Sequence, residues 1–232
     1  MSSYPYARLS STTLFNFTDS FENLRNNLLK GIYCTTIIER FPPDFKFYGY
    51  KSPMVCFCDI PLGLVKEHLD WYGNYAIGIK REEARKLGVH PVWYIHKGLP
   101  IKKIIIQKIS LNDTTYRALL PYFKRFIGDQ KNLNKEIHRK KFYDEHEWRY
   151  IPSDKRNLIK LLNSNPGDEL KKNRCVTRMP IPLQSIEYII VRNDKDKTNL
   201  YPFLKSLAEK NEFCYESLVS SIITAKQIRR DF

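Results

Sequence analysis

The sequence predicts an α+β domain, with residues 1–232 forming one unit. Three observations carry that expectation. The 232 residues are 42% hydrophobic, enough to bury a core in a domain of this length. Short apolar and aromatic runs are interspersed with amphipathic stretches, without the regular strand–helix alternation of a parallel sheet. No linker divides the chain cleanly, and no internal repeat appears.

Leu14–Phe17 reads as a strand. Thr18 or Asp19 then caps a helix, with Glu22 at capping-box spacing from Asp19. Phe21, Leu24, Leu28 and Leu29 recur at helical spacing, and Gly31 marks the stop. Residues 32–53, with Pro42, Pro43, Gly49 and Pro53, read as a long loop or lid, with room for short strands. Met54–Cys58 is a buried-strand candidate, Leu62–Leu69 a short helix and Tyr75–Ile79 a further strand. Arg81–Leu87 is a helix closed by Gly88, and Val92–Ile95 is a strand. Ile101–Ile109 is strand-like but ambiguous. Thr115–Ile127 carries Leu119, Leu120, Phe123 and Phe126 and reads as a helix. A strand is expected over Glu147–Ile151, a polar loop over 153–174, a strand at Ile186–Val191 and a helix at Leu200–Ala208. The end, Ile222–Ile228, is a strand or a helix.

The charge balance narrows the partners. Thirty-nine Lys+Arg against 25 Asp+Glu leave +14, a field that attracts polyanions, so nucleic acid or an acidic protein is the expected partner. The aromatic fraction of 13% suits core packing, with some rings available to stack on bases. Five cysteines without disulfide spacing, and no signal peptide, point to a reducing cytoplasm. No apolar run is long enough for a bilayer. Phosphate-binding loops, nucleophile elbows and His-Glu-x-x-His are missing, and Cys56-x-Cys58 alone makes a poor zinc site, so no metal is expected.

Two constellations remain. In Phe142-Tyr-Asp-Glu145-His-Glu147-Trp-Arg149-Tyr150, a strand would place Glu145 and Glu147 on one face. Such a pair is either a solvated edge balanced by Arg149 or an acid–base site acting on a sugar. In Leu14-Phe-Asn16-Phe-Thr18, two polar residues stand where a strand meets a helix N-terminus. That is either a cap and turn or a ligand contact. The basic stretch 129–142 holds Lys135, His138, Arg139, Lys140 and Lys141. Arg139, Lys140, Lys141 and Arg149 are candidates to position phosphates.

The blocks at 53–62 (Pro-Met-Val-Cys-Phe-Cys-Asp-Ile-Pro-Leu), 71–79 (Trp-Tyr-Gly-Asn-Tyr-Ala-Ile-Gly-Ile), 91–94 (Pro-Val-Trp-Tyr) and 143–150 (Tyr-Asp-Glu-His-Glu-Trp-Arg-Tyr) resemble the AbiGi-type abortive-infection proteins. The opening Thr-Leu-Phe-Asn-Phe-Thr resembles that family too, and also the DarT-type ADP-ribosyltransferases. The resemblance implies an ADP-ribosyltransferase-like split mixed β-sheet with flanking helices, clamping NAD as substrate. It assigns Glu147 and Glu145 as catalytic, and Asn16, Thr18, Phe57, and Tyr72 or Tyr75 as NAD contacts. The related enzymes usually carry His where this chain has Asn16, and an amide cannot act as acid or base.

On that reading the chain is a phage-defence toxin that modifies nucleic acid, single-stranded RNA before DNA, and is held in check by an antitoxin protein. The competing expectation is an inactive, antitoxin-like or nucleic-acid-binding component. A metal-dependent nuclease is a third class, resting only on Asp144, Glu145 and Glu147.

Overall fold

A computed structural model of the chain describes residues 11–40, 49–96, 118–131, 133, 136–153, 160–162 and 174–232. The predicted strand Ile101–Ile109, Lys135 and most of the polar loop at 153–174 lie outside the described residues. The α+β class is borne out.

The chain opens with β1 (Thr13–Thr18) and α1 (Phe21–Lys30). Neither Thr18 nor Asp19 caps α1. The Ser20 hydroxyl accepts from the Asn23 N–H, and Gly31 ends the helix at φ 83°. Leu24 and Leu28 bury the helix face, whereas Leu29 is 43% exposed.

The segment read as a loop is mostly sheet: β2 (Ile32–Arg40) and β3 (Gly49–Cys58) pair antiparallel from Thr35↔Met54 to Arg40↔Gly49. Pro53 misled the reading. It sits in β3 between the stretches that pair, on the other edge, with β11 (Lys160–Leu162) and β10 (Glu147–Tyr150). There a missing N–H interrupts neither of those ladders.

Helix α2 (Lys66–Tyr72), β4 (Tyr75–Lys80), α3 (Arg81–Lys86), β5 (Val89–Pro91) and β6 (Trp93–Ile95) follow. The helix expected over Thr115–Ile127 does not form across Leu120–Ile127. Pro121 breaks it, and a 3-10 turn (Leu120–Tyr122) leads into β7 (Phe123–Arg125), which pairs with β6. β8 (Ile127–Lys131) and β9 (Ile137–Lys141) make a separate hairpin. After β12 (Arg174–Met179), β13 (Ile186–Val191) crosses through α4 (Asp194–Lys210) and α5 (Tyr215–Ser220) to a parallel partner, β14 (Ile222–Thr224). Helix α4 begins earlier than expected because Asn193 caps it. The end is both strand and helix, since α6 (Ala225–Asp231) follows β14 through a Thr224–Gln227 capping box.

Among the described residues, ten strands form one mixed sheet whose main path runs β12-β2-β3-β1-β4-β13-β14. Strand alternation feeds two cores. Leu14, Ile77 and Ile189 pack with Leu24, Leu200 and Leu218 on one face; Phe15, Ala76 and Ile190 pack with Leu69 and Ile228 on the other. Helices thus cover both faces. A third cluster, around Tyr50, Met54, Ile95 and Phe123, lies under the β6–β7 pair.

Gly73 fixes how α2 meets the end of β1. Its φ is 115°, and an added Cβ would stand 2.4 Å from the Thr18 carbonyl oxygen and the Asp19 Cα. Gly73→Ala is therefore expected to cost about 2–4 kcal/mol, from overpacking plus backbone strain. Urea unfolding checks this, and a cost below about 0.5 kcal/mol would show that α2 docks independently of that contact.

Candidate functional site

The sheet opens where β1 and β3 part. They share one register pair, Phe15↔Cys58, and β2 takes over the same edge of β3 only from Met54 onward. Between these points the Asn16 amide nitrogen donates to the Cys56 carbonyl at 2.9 Å, bridging the gap. The opening is a cleft of about 490 Å³, lined by β1, β2, β3, α2, β7 and the Glu145–Glu147 segment.

An ionic cluster forms its floor. Lys124 Nζ lies 2.5 Å from Glu145 Oε2 and also binds Glu147. Arg149 Nε donates to the other Glu147 oxygen at 2.6 Å, and the rest of its guanidinium meets Glu39, the Tyr50 hydroxyl and the Pro121 carbonyl. Lys140 lies 2.9 Å from Glu145, whose carboxylate also accepts from the Tyr72 hydroxyl. Three carboxylates thus balance three cations, all nearly removed from water. Geometry of this kind offsets a desolvation penalty that either sign alone would leave uncompensated.

The titration directions follow. Burial alone would raise the Glu147 carboxyl, but Arg149 and Lys124 outweigh it and hold the group far below the usual carboxylate range. Burial opposes ionisation of Glu145 as well, and Lys124 and Lys140 overcome both that and the nearby Glu147 charge. Lys124 is the mirror case: burial disfavours its ammonium, and the two glutamates push its pKa well above the ordinary lysine value. Glu145 and Glu147 are therefore firmly ionised and weakly basic. They can accept hydrogen bonds and hold cations in place, but they are poor proton acceptors.

The two glutamates do not meet by strand alternation. Phe142–Glu145 is a 3-10 turn, His146 is left-handed at φ 44°, and β10 begins at Glu147. Their convergence on Lys124 is a product of that turn.

Asn16, Phe57 and Tyr72 line the cleft with the two glutamates. Tyr75 and Thr18 do not. Tyr75 packs in the core on the other face of the sheet, where its hydroxyl donates to Asp196 at 2.7 Å; burial and that carboxylate push its pKa up to about 12. Of the four cations expected at phosphates, Arg149 is fully buried and Lys140 nearly so, both committed to glutamates. Lys140 also lies over the Trp71 ring at 4.3 Å. Only Arg139 and Lys141 face solvent on the hairpin, and Lys141 pairs with Asp144 at 2.9 Å.

Lys124, Glu39 and His68 were missed. Lys124 lay hidden in a segment read as helix, and Glu39 in one read as loop. His68 is 5% exposed and lines the cleft; its ring sits 5.8 Å from both Phe17 and Tyr72, and neither ring nitrogen has a hydrogen-bond partner among the described residues. Burial lowers its pKa to about 4, so it is neutral at physiological pH. Among the described residues, no group of three His, Cys, Asp or Glu side chains is placed to hold a metal, and no helix is long and apolar enough to cross a membrane.

Fold and site together define a mixed α+β protein with a ligand-sized cleft over an internally neutralised floor. Residues 48–192, more than half of the chain, match the family described as "Putative abortive phage resistance protein AbiGi, antitoxin", and the chain belongs to that family. A protein of Lactococcus lactis subsp. cremoris described as "Abortive phage resistance protein AbiGi" is 26% identical over 225 residues, covering 78% of this chain and 88% of that protein. The matched stretch holds His68, Lys124, Glu145, Glu147 and Arg149 but not Asn16. No solved structure matches the chain.

Proposed function

We propose that this chain is the antitoxin-like component of an abortive phage-resistance system, restraining a toxic partner protein in the cytoplasm by binding it. The observation that carries this reading is the neutralisation of both candidate catalytic carboxylates by the chain's own cations: Lys124 on both, Arg149 on Glu147 and Lys140 on Glu145. A carboxylate held this way neither takes a proton readily nor presents an unbalanced charge to an oxocarbenium-like centre. The Asn16 amide is likewise engaged by the Cys56 carbonyl. The family's description as an antitoxin supports the same reading. The strong positive charge suits a polyanionic or acidic partner surface. Expression of the chain alone is expected to leave growth unchanged, and co-expression to relieve arrest by the toxin of the same system. Growth arrest by the chain alone, abolished in Glu147→Gln, would overturn the proposal.

A second reading keeps the cleft as an ADP-ribosyltransferase-like site. It is favoured by one observation: Asn16, Phe57, Tyr72, Glu145 and Glu147 do line a common cleft. In that chemistry the bond from ribose C1 to nicotinamide breaks, and nicotinamide leaves with the electron pair. A nucleic-acid oxygen or nitrogen bonds to C1, and its proton has to pass to Glu145, a carboxylate that Lys124 and Lys140 hold weakly basic. Purified protein, radiolabelled NAD and separate pools of single-stranded RNA, single-stranded DNA and protein decide the matter. Label on one polymer, absent with Glu147→Gln, establishes transfer. No label on any pool leaves the binding role.

A further inference from the structure

We propose that the cleft between β1 and β3 binds the uncharged base-and-ribose part of a nucleoside, and that His68 hydrogen-bonds to it. The inference does not depend on whether the chain transfers ADP-ribose or only restrains a partner.

The first argument is the state of His68. A buried imidazole normally has its nitrogens paired, because each unpaired one forfeits hydration without compensation. Here the ring lines the cleft, and among the described residues both nitrogens are without a partner. Its neighbours do not explain it as core packing. Phe17 and Tyr72 flank the ring, and Tyr72 directs its own hydroxyl to Glu145 instead. A neutral imidazole offers one donor and one acceptor, which matches the paired donor and acceptor atoms on the edge of a base.

The second argument is charge. The whole chain carries +14, yet among the described residues the charged ones lining the cleft are Glu39, Asp129, Glu145 and Glu147 against Lys124 and Arg125. Four carboxylates and two cations do not invite a phosphate. The chain's own cations already occupy the three buried carboxylates, so a free cation gains little there either. The portion of a ligand that enters must be uncharged.

The third argument is shape and lining. A volume of about 490 Å³ falls within the roughly 300–1,000 Å³ usual for small-molecule sites. Aromatic walls alternate with Asn16, Thr35 and Gln130, giving stacking surfaces for a ring and amide or hydroxyl partners for ribose. Tyr33 also lines the cleft; the Arg178 guanidinium lies 3.1 Å from its ring centroid, and Arg178 Nη1 donates to the Gly31 carbonyl at 2.6 Å, so Tyr33 is held in position.

The test uses the full chain and two readouts. Adenosine, guanosine, cytidine, uridine, nicotinamide riboside and inorganic phosphate are titrated separately while the His68 ring-nitrogen resonances are followed by NMR. At least one nucleoside is expected to shift them with saturation, and phosphate is not. His68→Phe keeps a ring against Phe17 and Tyr72 but removes both nitrogens. It is expected to weaken that nucleoside roughly tenfold and, in the ligand-free protein, to raise Tm by about 2–4 °C as the unpaired polar atoms disappear. Better stability with poorer binding is the signature of a residue kept for a ligand. No response of the ring nitrogens to any nucleoside, a response to phosphate alone, or unchanged nucleoside affinity in His68→Phe would overturn the proposal. So would a His68→Phe protein no more stable than the parent, which would mean that bound water already satisfies the ring.

Discussion

Arg149→Met is expected to lower the folding free energy by about 3–5 kcal/mol, the range for removing one partner of a buried ion pair. For a chain of this size that is a fall in Tm of roughly 6–20 °C. Methionine fills much of the volume but leaves Glu147 and Glu39 facing each other across a space from which water is excluded. It also removes the donors that Arg149 supplies to the Tyr50 hydroxyl and the Pro121 carbonyl. Burial and packing alone would not predict such a loss, because the replacement is apolar. Restoring the charge balance should recover part of it, so Arg149→Met with Glu39→Gln is expected to be more stable than Arg149→Met alone. Guanidinium unfolding of the single and double variants measures both. A loss below about 1 kcal/mol in the single variant would mean that the glutamates reach solvent when Arg149 is gone.

Stability should fall on acidification beginning near pH 6.5, well above the carboxylate range. The cause is His68, whose pKa drops from 6.5 to about 4 on folding, first through burial and then through Lys140, Lys124 and His146, against a raising influence from Glu145. Between those values the unfolded chain binds a proton that the folded chain refuses. Stability therefore rises with pH across this window, and about 3 kcal/mol is lost on descending through it. Glu145 and Glu147 act lower. Their folded pKa values lie below the ordinary 4.5, so the stabilisation they contribute is present above 4.5 and disappears as pH falls below it. In His68→Phe the decline should start only near pH 4.5. Urea midpoints at half-unit pH steps distinguish the two curves. An identical slope from 6.5 to 4.5 in parent and variant would show that His68 is accessible to protons in the folded protein.

These effects arise where the linear chain was hardest to read. Apolar periodicity, with Gly31 after α1 and Gly88 after α3 as stops, marks α1, β4, β13 and α3 locally, so each was legible from its own stretch of sequence. The class of fold and the family were legible too, through the ordered blocks from 53 to 150. Glu145 and Glu147 stood out as a close acidic pair, and Asn16, Phe57 and Tyr72, read from the sequence as ligand contacts, line one cleft with them.

What surrounds that pair was settled by tertiary contacts. The partners of Glu147 lie 23 residues away at Lys124 and two away at Arg149, and Arg149 reaches back 110 residues to Glu39. No local pattern encodes such distances, because the free energy of a buried charge depends on which opposite charge the fold brings to it. The same holds for Lys140, which basic composition marked as a surface cation and the hairpin turned inward, and for Tyr75, which the pleat of β4 sends to the opposite face from the cleft. His68 carries no signal at all in sequence. Its burial, its flanking rings and its unpaired nitrogens exist only once α2 is packed across the end of β1. Sequence alone determined elements such as α1, β4, α3 and β13, the sign of the net charge and the family. Tertiary structure decided that the acidic pair is neutralised from within and that an orphaned imidazole looks into the cleft, because desolvation and pairing are properties of the packed interior.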